Sequence, residues 1–179
     1  MLNLKKYYIP YMYMAGFHTK TFSKHDDYMT PKSAWENIKE YIPKNKIWEG
    51  FYGDGSSGKY LTEMGFDVIH EDIDFFDDNV RPQYDCLVSN PPYSCSKEVM
   101  DKLYDIDKPF IVIFPSSKIN TNYFRRWKDR KIQLMIPRKR IHFIKIVDGK
   151  IMNEKSKCNF DCFYYCYKIN LPKDIIWLE

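Results

Sequence analysis

The chain has 179 residues, 44% of them hydrophobic and 29% charged, with a net charge of +4. That is the balance of a single soluble globular domain. No run of about 18 apolar residues occurs, which excludes a membrane-spanning helix, and Met1 to Pro10 has no apolar stretch behind Lys5 and Lys6, so it does not read as a secretory signal. Five cysteines in such a chain read as reduced thiols. These features predict a cytoplasmic or nuclear protein with no membrane partner. The abundance of Lys, Ile, Asn, Tyr and Phe is the bias of an AT-rich genome, such as that of a virus acting in its host cell.

Residues 1–24 form an aromatic, irregular segment (Tyr7, Tyr8, Tyr11, Tyr13, Phe17, Phe22), and residues 25–179 read as one domain. Thr30-Pro31 predicts a helix N-cap followed by proline in the first turn, with Trp35, Ile38 and Tyr41 at helical spacing. Lys46 to Tyr52 predicts a strand ending in the glycine cluster Gly53 to Gly58. A two-turn helix follows, with Leu61 and Met64 inward and Gly65 as its stop. Val68 to Glu71 and Tyr84 to Ser89 predict two further strands. Ser96 to Tyr104 predicts a helix, Pro109 to Phe114 an apolar strand, and Asn120 to Trp127 another helix. Lys131 to Ile136, Ile141 to Val147 and Asn159 to Ile169 are strand-like, with a hairpin turn at Asp148-Gly149. Strand and helix alternate first, and a strand-rich tail follows. The pattern predicts an α/β fold with a mostly parallel sheet and antiparallel C-terminal edge strands.

Charge is unevenly placed. Between Lys118 and Lys145 lie ten basic residues against Asp129 alone, a net +9, which leaves 18 basic and 23 acidic residues, a net −5, elsewhere. Such a segment suits a polyanion, because neutralised phosphates release condensed counterions; it also describes a solvated basic face.

Two loops carry chemistry. Gly53, Gly55 and Gly58 satisfy G-x-G-x-x-G between a strand and a helix, where the backbone must turn sharply and approach a ligand. Asp72 follows at the end of the next strand, where a carboxylate can accept from a ribose diol. The same letters fit the phosphate loop G-x-x-x-x-G-K, but Tyr60 stands where that motif needs Ser or Thr for Mg²⁺. The second loop is Asn90-Pro91-Pro92-Tyr93, at the carboxyl end of a buried-type strand. Its prolines fix φ and remove two donors. The Asn90 side-chain oxygen and the Pro91 carbonyl can then hold one planar amino group, with Tyr93 as a stacking surface. A neutral amine placed against an electrophilic methyl group needs orientation and desolvation more than a base.

Asn90-Pro91-Pro92-Tyr93 resembles the catalytic signature of S-adenosylmethionine-dependent amino-methyltransferases, above all adenine-N6 DNA methyltransferases. Asp27-Tyr28-Met29-Thr30-Pro31 is similar to the upstream cofactor motif of that family. Glu49-Gly50-Phe51-Tyr52-Gly53-Asp54-Gly55 is similar to its main cofactor loop, with Gly50 where the family often has proline. The resemblance runs from about Asp27 to about Tyr167. It implies the class I, Rossmann-like methyltransferase fold with S-adenosylmethionine as cofactor. Catalysis would fall to Asn90, Pro91, Pro92 and Tyr93. The cofactor would lie against Tyr28, Thr30, Pro31, Glu49, Gly50, Phe51, Gly53, Gly55, Asp72, Ile73, Asp74, Phe75 and Asn90, with Glu49 on the methionine amine, Asp72 on the ribose and Asp74-Phe75 lining the adenine. Arg125, Arg126, Lys128, Arg138, Lys139 and Arg140 would meet the nucleic acid, and Phe143 the target base. The implied reaction is adenine-N6 methylation of DNA. Methylation of RNA adenines, methylation of protein glutamine and a catalytically silent nucleic-acid-binding subunit remain alternatives. No separate target-recognition domain is expected, so recognition is loose, or a protein partner supplies it, or the substrate is not duplex DNA.

Cys158, Cys162 and Cys166 are spaced by four, one too many for the C-x-x-x-C-x-x-C cluster motif, and read as buried thiols on one strand face. His18, His25, His70 and His142 show no ligand spacing, and no metal is assigned. A nicotinamide-dependent oxidoreductase would share the glycine pattern but would leave Asn90 to Tyr93 unexplained.

Overall fold

The computed structural model describes residues 28–147, 150–151 and 160–179. The aromatic segment 1–24, Asp27, the Asp148-Gly149 turn and Cys158 lie outside the described residues. Strand β1 (Tyr28–Met29) leads into helix α1 (Lys32–Glu36), a 3-10 helical turn (Lys39–Tyr41), β2 (Ile47–Trp48), α2 (Ser56–Glu63) and β3 (Val68–Ile69). Then come β4 (Cys86–Ser89), a 3-10 turn (Tyr93–Cys95), α3 (Ser96–Ile106), β5 (Phe110–Pro115) and two more 3-10 turns (Ser116–Asn120 and Phe124–Trp127). The chain closes with β6 (Ile132–Ile136), β7 (Ile144–Val147), β8 (Lys150–Ile151), β9 (Cys162–Tyr167) and β10 (Ile175–Trp177).

Seven strands form one sheet in the order β10-β6-β9-β5-β4-β2-β3. Pairing is parallel throughout except at β9, which runs antiparallel to both β5 and β6. The mostly parallel α/β sheet expected from the alternation is therefore present. Its reversed strand lies between β5 and β6, and β10, which the sequence reading did not foresee, takes the outermost place. The segment expected as strand Ile141 to Val147 leaves this sheet: β7 pairs with β1 and β8 in a small antiparallel sheet of its own.

Alternation along β5 explains the layers. All six of its residues are buried, as a strand covered on both faces requires. Ile111 and Ile113 join Trp35, Ile38, Leu61 and Tyr164 on the face carrying α1 and α2. Phe110, Val112 and Phe114 join Val99, Met100, Leu103 and Trp127 on the face carrying α3 and the 3-10 turns. The buried Tyr164 hydroxyl donates to the Ala34 carbonyl at 2.6 Å, tying β9 to α1. Cys162 and Cys166 are buried cysteines on that strand, neither of them in a disulfide.

Two helical expectations need correction. Pro31, with φ −69 and ψ 150, is itself the cap of α1 and no side chain caps the helix; Thr30 is buried upstream, so the helix starts one residue later than its Thr-Pro signal implies. The helix expected over Asn120 to Trp127 is instead the second 3-10 turn, separated from the first by the extended Thr121 (φ −75, ψ 153). The Thr121 hydroxyl donates back to the Lys118 carbonyl at 2.7 Å, the local competition that makes Thr poor at entering helices.

The short β10 pairs with β6, and Gln133 on β6 anchors the segment that leads into it. Its amide donates to the carbonyls of Leu171 (2.9 Å) and Lys173 (3.0 Å), and its oxygen accepts from the Leu171 N–H (2.9 Å). Gln133→Leu strands those buried groups and should destabilise the fold by roughly 3 kcal/mol. Urea unfolding should show a lower midpoint at unchanged slope; an unchanged midpoint would mean that Gln133 holds nothing in place.

Candidate active site

The chain leaves β2 for β3 on one side and returns to β4 on the other, so the strand order reverses between β2 and β4. Ligands of open α/β sheets sit in the crevice outside the carboxyl ends at such a reversal. Both chemistry-bearing loops start there: Glu49 to Gly55 follows β2, and Asn90 to Tyr93 follows β4.

Gly53 and Gly55 take φ of 58 and 77, left-handed values that glycine adopts without strain. Gly55 is the residue from which α2 starts. Gly58 fills the helix-packing role of the motif's third glycine: a Cβ there would lie 2.2 Å from His70 Cβ. At Gly50 a Cβ would lie 2.8 Å from Leu87 Cδ1, so any larger residue there would force the buried Leu87 side chain to shift.

Glu49 is 1% exposed. Burial pushes its carboxyl from 4.5 up to about 7, against the opposing hydrogen bonds of Ser89 and the Phe51 backbone, while Asp54 pushes it further up. The Ser89 hydroxyl donates to Glu49 Oε1. Oε2 is buried and makes no hydrogen bond to any described residue. A buried carboxyl oxygen with unused acceptor capacity is costly, and its location at the switch point beside a glycine loop fits a ligand carrying a primary ammonium group.

The other expected cofactor residues are distributed as follows. Asp72 is exposed and Ile73 half-buried, both past the end of β3. The Asp74 carboxylate accepts from the Phe76 N–H at 2.9 Å. Phe75 corrects an expectation. At 2% exposure it packs 4.6 Å from the Phe51 ring and 5.7 Å from the Trp48 ring, so it supports the glycine loop from beneath and presents no free face to an adenine. Phe51 is buried with it. Tyr28 and Pro31 are half-buried, and Thr30 is buried.

In the second loop Pro91 and Pro92 are buried, and Asn90 and Tyr93 half-buried. The Pro92 carbonyl accepts from Cys95 Sγ at 3.4 Å and the Tyr93 carbonyl from Ser96 Oγ at 2.6 Å, fixing the turn into α3. The Tyr93 hydroxyl donates to Asn90 Oδ1 at 2.9 Å and lies 3.4 Å from Cys162 Sγ. Its ring meets Phe143 and Phe160 edge-on, at 6.1 and 5.5 Å, with Phe114 at 6.2 Å. Tyr93, half-buried, thus belongs to an aromatic cluster with these rings. Phe143, 5% exposed, belongs to that cluster and not to the basic surface.

The basic segment divides. Arg125, Arg126 and Lys128 line an open groove of about 720 Å³ with Asn122, Tyr123, Lys97 and Asp101, the last two on α3 directly behind the Asn90 loop. Arg138, Lys139 and Arg140 are exposed on the chain between β6 and β7. Acids from outside the segment neutralise part of its charge: Arg126 pairs with Asp101 (3.1 Å) and Asp105 (3.2 Å), Arg130 with Asp107 (2.6 Å), Arg140 with Asp161 (2.7 Å) and Arg138 with Glu179 (3.8 Å). The linear count of +9 therefore overstates the exposed field, whereas Arg125 and Lys139 form no ion pair with any described residue. The sequence reading missed Ser89 and Lys97. A serine ending a strand carries no signal by itself, whereas Lys97 could have been found from its place in the first turn behind the proline loop.

No protein-family model matches the sequence, and no curated protein matches it. Among solved structures, the tRNA (m1A58) methyltransferase TrmI from Aquifex aeolicus aligns at 13% identity over 82% of this chain and 71% of its own, with a TM-score of 0.41. A SAM-dependent O-methyltransferase from Thermotoga maritima aligns at 13% identity over 76% of this chain and 64% of its own, with a TM-score of 0.39. Among the described residues no helix is long and apolar enough to cross a membrane.

The raised Glu49 carboxyl has a definite pH signature. Stability tied to its neutral form is complete below pH 4.5 and is lost as pH rises through about 7. Between pH 4 and pH 8 the ligand-free wild type should lose roughly 3 kcal/mol relative to Glu49→Gln. Parallel stability curves for the two proteins would show that Glu49 ionises without penalty.

Proposed function

We propose that this chain transfers a methyl group from S-adenosylmethionine to the exocyclic N6 amine of adenine in DNA. The observation that carries the reading is the pairing, at one switch point, of the buried Glu49 with its unbonded Oε2 and the Asn90-Pro91-Pro92-Tyr93 turn. When bound, S-adenosylmethionine supplies an electrophilic methyl group on a sulfonium centre. Glu49 Oε2 accepts from the ammonium of its methionine part, and the backbone at Gly53 and Gly55 admits close approach. Asp72 accepts from the ribose hydroxyls. Ile73 and Phe76, half-buried on either side of Phe75, would line the adenine in its place.

The target amine needs acceptors that aim its lone pair. Asn90 Oδ1 takes one hydrogen bond from Tyr93, and a carbonyl oxygen has a second lone pair for the amine; the Pro91 carbonyl supplies the other acceptor. Tyr93 thus acts first by holding Asn90 still, and its ring closes the pocket with Phe143 and Phe160. Orientation and exclusion of water provide the acceleration. In a duplex the adenine must leave the stack to reach this depth, at a cost of a few kcal/mol. Arg125 and Lys128 in the groove behind the loop, with Lys139, would hold the phosphates. A protein partner would supply target recognition, and the cytoplasm or nucleus of a host cell suits the reading.

Tritiated methyl transfer to matched DNA, RNA and protein pools, followed by nucleoside analysis, tests this directly. Label is expected in N6-methyldeoxyadenosine; label in ribonucleosides or glutamine would replace the substrate, and no label anywhere would remove the activity. Asn90→Ala should cut turnover by roughly a hundredfold or more while calorimetric binding of S-adenosylmethionine persists. Near-native turnover would dissociate the turn from catalysis. Arg125→Ala and Lys128→Ala should each weaken DNA binding across sequences and lower the slope of log affinity against log salt by about one. A slope unchanged in both variants would move the phosphate path away from the groove.

A further inference from the structure

Glu49 and Ser89 stand 40 residues apart at the ends of neighbouring parallel strands, and the hydrogen bond between their side chains spans the switch point. Ser89 is 0% exposed. The contact engages one carboxyl oxygen of Glu49 and leaves the other, equally buried, without a partner. Asp54, from the glycine loop, is the charged neighbour acting on this carboxyl, and its charge opposes ionisation. Among the described residues no basic side chain pairs with it. The Phe51 backbone N–H also favours the ionised carboxyl, and the Ser89 hydroxyl is the side-chain donor that fixes its orientation. We propose that Ser89 is a positioning residue of the ligand site: its hydroxyl locks Oε1 of Glu49, so that Oε2 faces an incoming ammonium group as a ready, ionisable acceptor.

The inference rests on the methyltransferase reading only for the identity of that ammonium; the Ser89–Glu49 pair itself can be tested with no ligand present. Burial is the largest influence on Glu49 and raises its carboxyl, and the Ser89 hydrogen bond is the largest influence that lowers it. Removing the hydroxyl should therefore raise the ionisation midpoint by about one to two pH units.

Carbon-13 titration of the Glu49 carboxyl in ligand-free protein, assigned with Glu49→Gln, reads this directly. Ser89→Ala is expected to titrate above wild type and Ser89→Thr to restore the wild-type midpoint. Ser89→Cys, nearly isosteric with a weaker donor, should fall between them and serves if Ser89→Ala does not fold. Calorimetry with S-adenosylmethionine then links the pair to the ligand. Affinity should fall about tenfold or more in Ser89→Ala at pH 6 and approach that of wild type by pH 9, where both carboxyls are ionised. Equal midpoints for wild type, Ser89→Ala and Ser89→Cys would overturn the role of Ser89. Shifted midpoints with no pH-dependent binding in wild type would leave the pair standing and remove S-adenosylmethionine as its ligand.

Discussion

A carboxyl group taken out of water without a counter-ion is among the least favourable features a small fold can carry. Glu49 is that feature here, and much of the molecule is arranged around it. Phe51, Phe75 and Trp48 exclude solvent from below, Gly50 leaves room for Leu87, and Ser89 reaches across from the next strand. None of these contacts neutralises the charge. On the proposed reading a cation completes that position, and a stability defect becomes a binding determinant.

The support for that arrangement is the two-faced burial of the central strands. Because β5 buries Phe110, Val112 and Phe114 toward one layer and Ile111 and Ile113 toward the other, a one-residue slip would exchange side chains of different size between two close-packed layers. The carboxyl ends of β2 and β4 are held level by the same constraint. The loops that follow can then turn sharply at their glycines without losing their mutual placement. The aromatic cluster of Tyr93, Phe114, Phe143 and Phe160 extends this rigidity to the second loop.

What could be read from the sequence was local. The left-handed glycines, the double proline and the alternation of strand and helix each depend on neighbours within a few residues, and they fall where expected. Ser89 was invisible because its function depends on β2 lying beside β4, a tertiary fact. Phe75 was misassigned for a related reason: adjacency to Asp74 placed it at the rim, whereas packing against Trp48 took it into the core. The basic run looked stronger than it is because Asp101, Asp105, Asp107 and Asp161, distant in sequence, return to neutralise it. The 3-10 turns after β5 replaced a helix because Thr121 offered the backbone a closer partner. Strand β10 escaped notice because it is only three residues long and gains its place by pairing with β6, about 40 residues earlier in the chain.

The position of β9 sets an order of assembly. Strand β6 finds its sheet partners in β9 and β10, both of which come later in the chain, and β9 must slot between two strands already made. As the polypeptide emerges, the parallel half from β2 to β5 can gather while one edge of β5 and all of β6 wait, bare, for residues beyond 160. Pairings of such long sequence separation form slowly and leave unpaired edges open to other molecules in the interval. The same reversal that knits the finished sheet together therefore makes its late-arriving edge the part most exposed to misassembly.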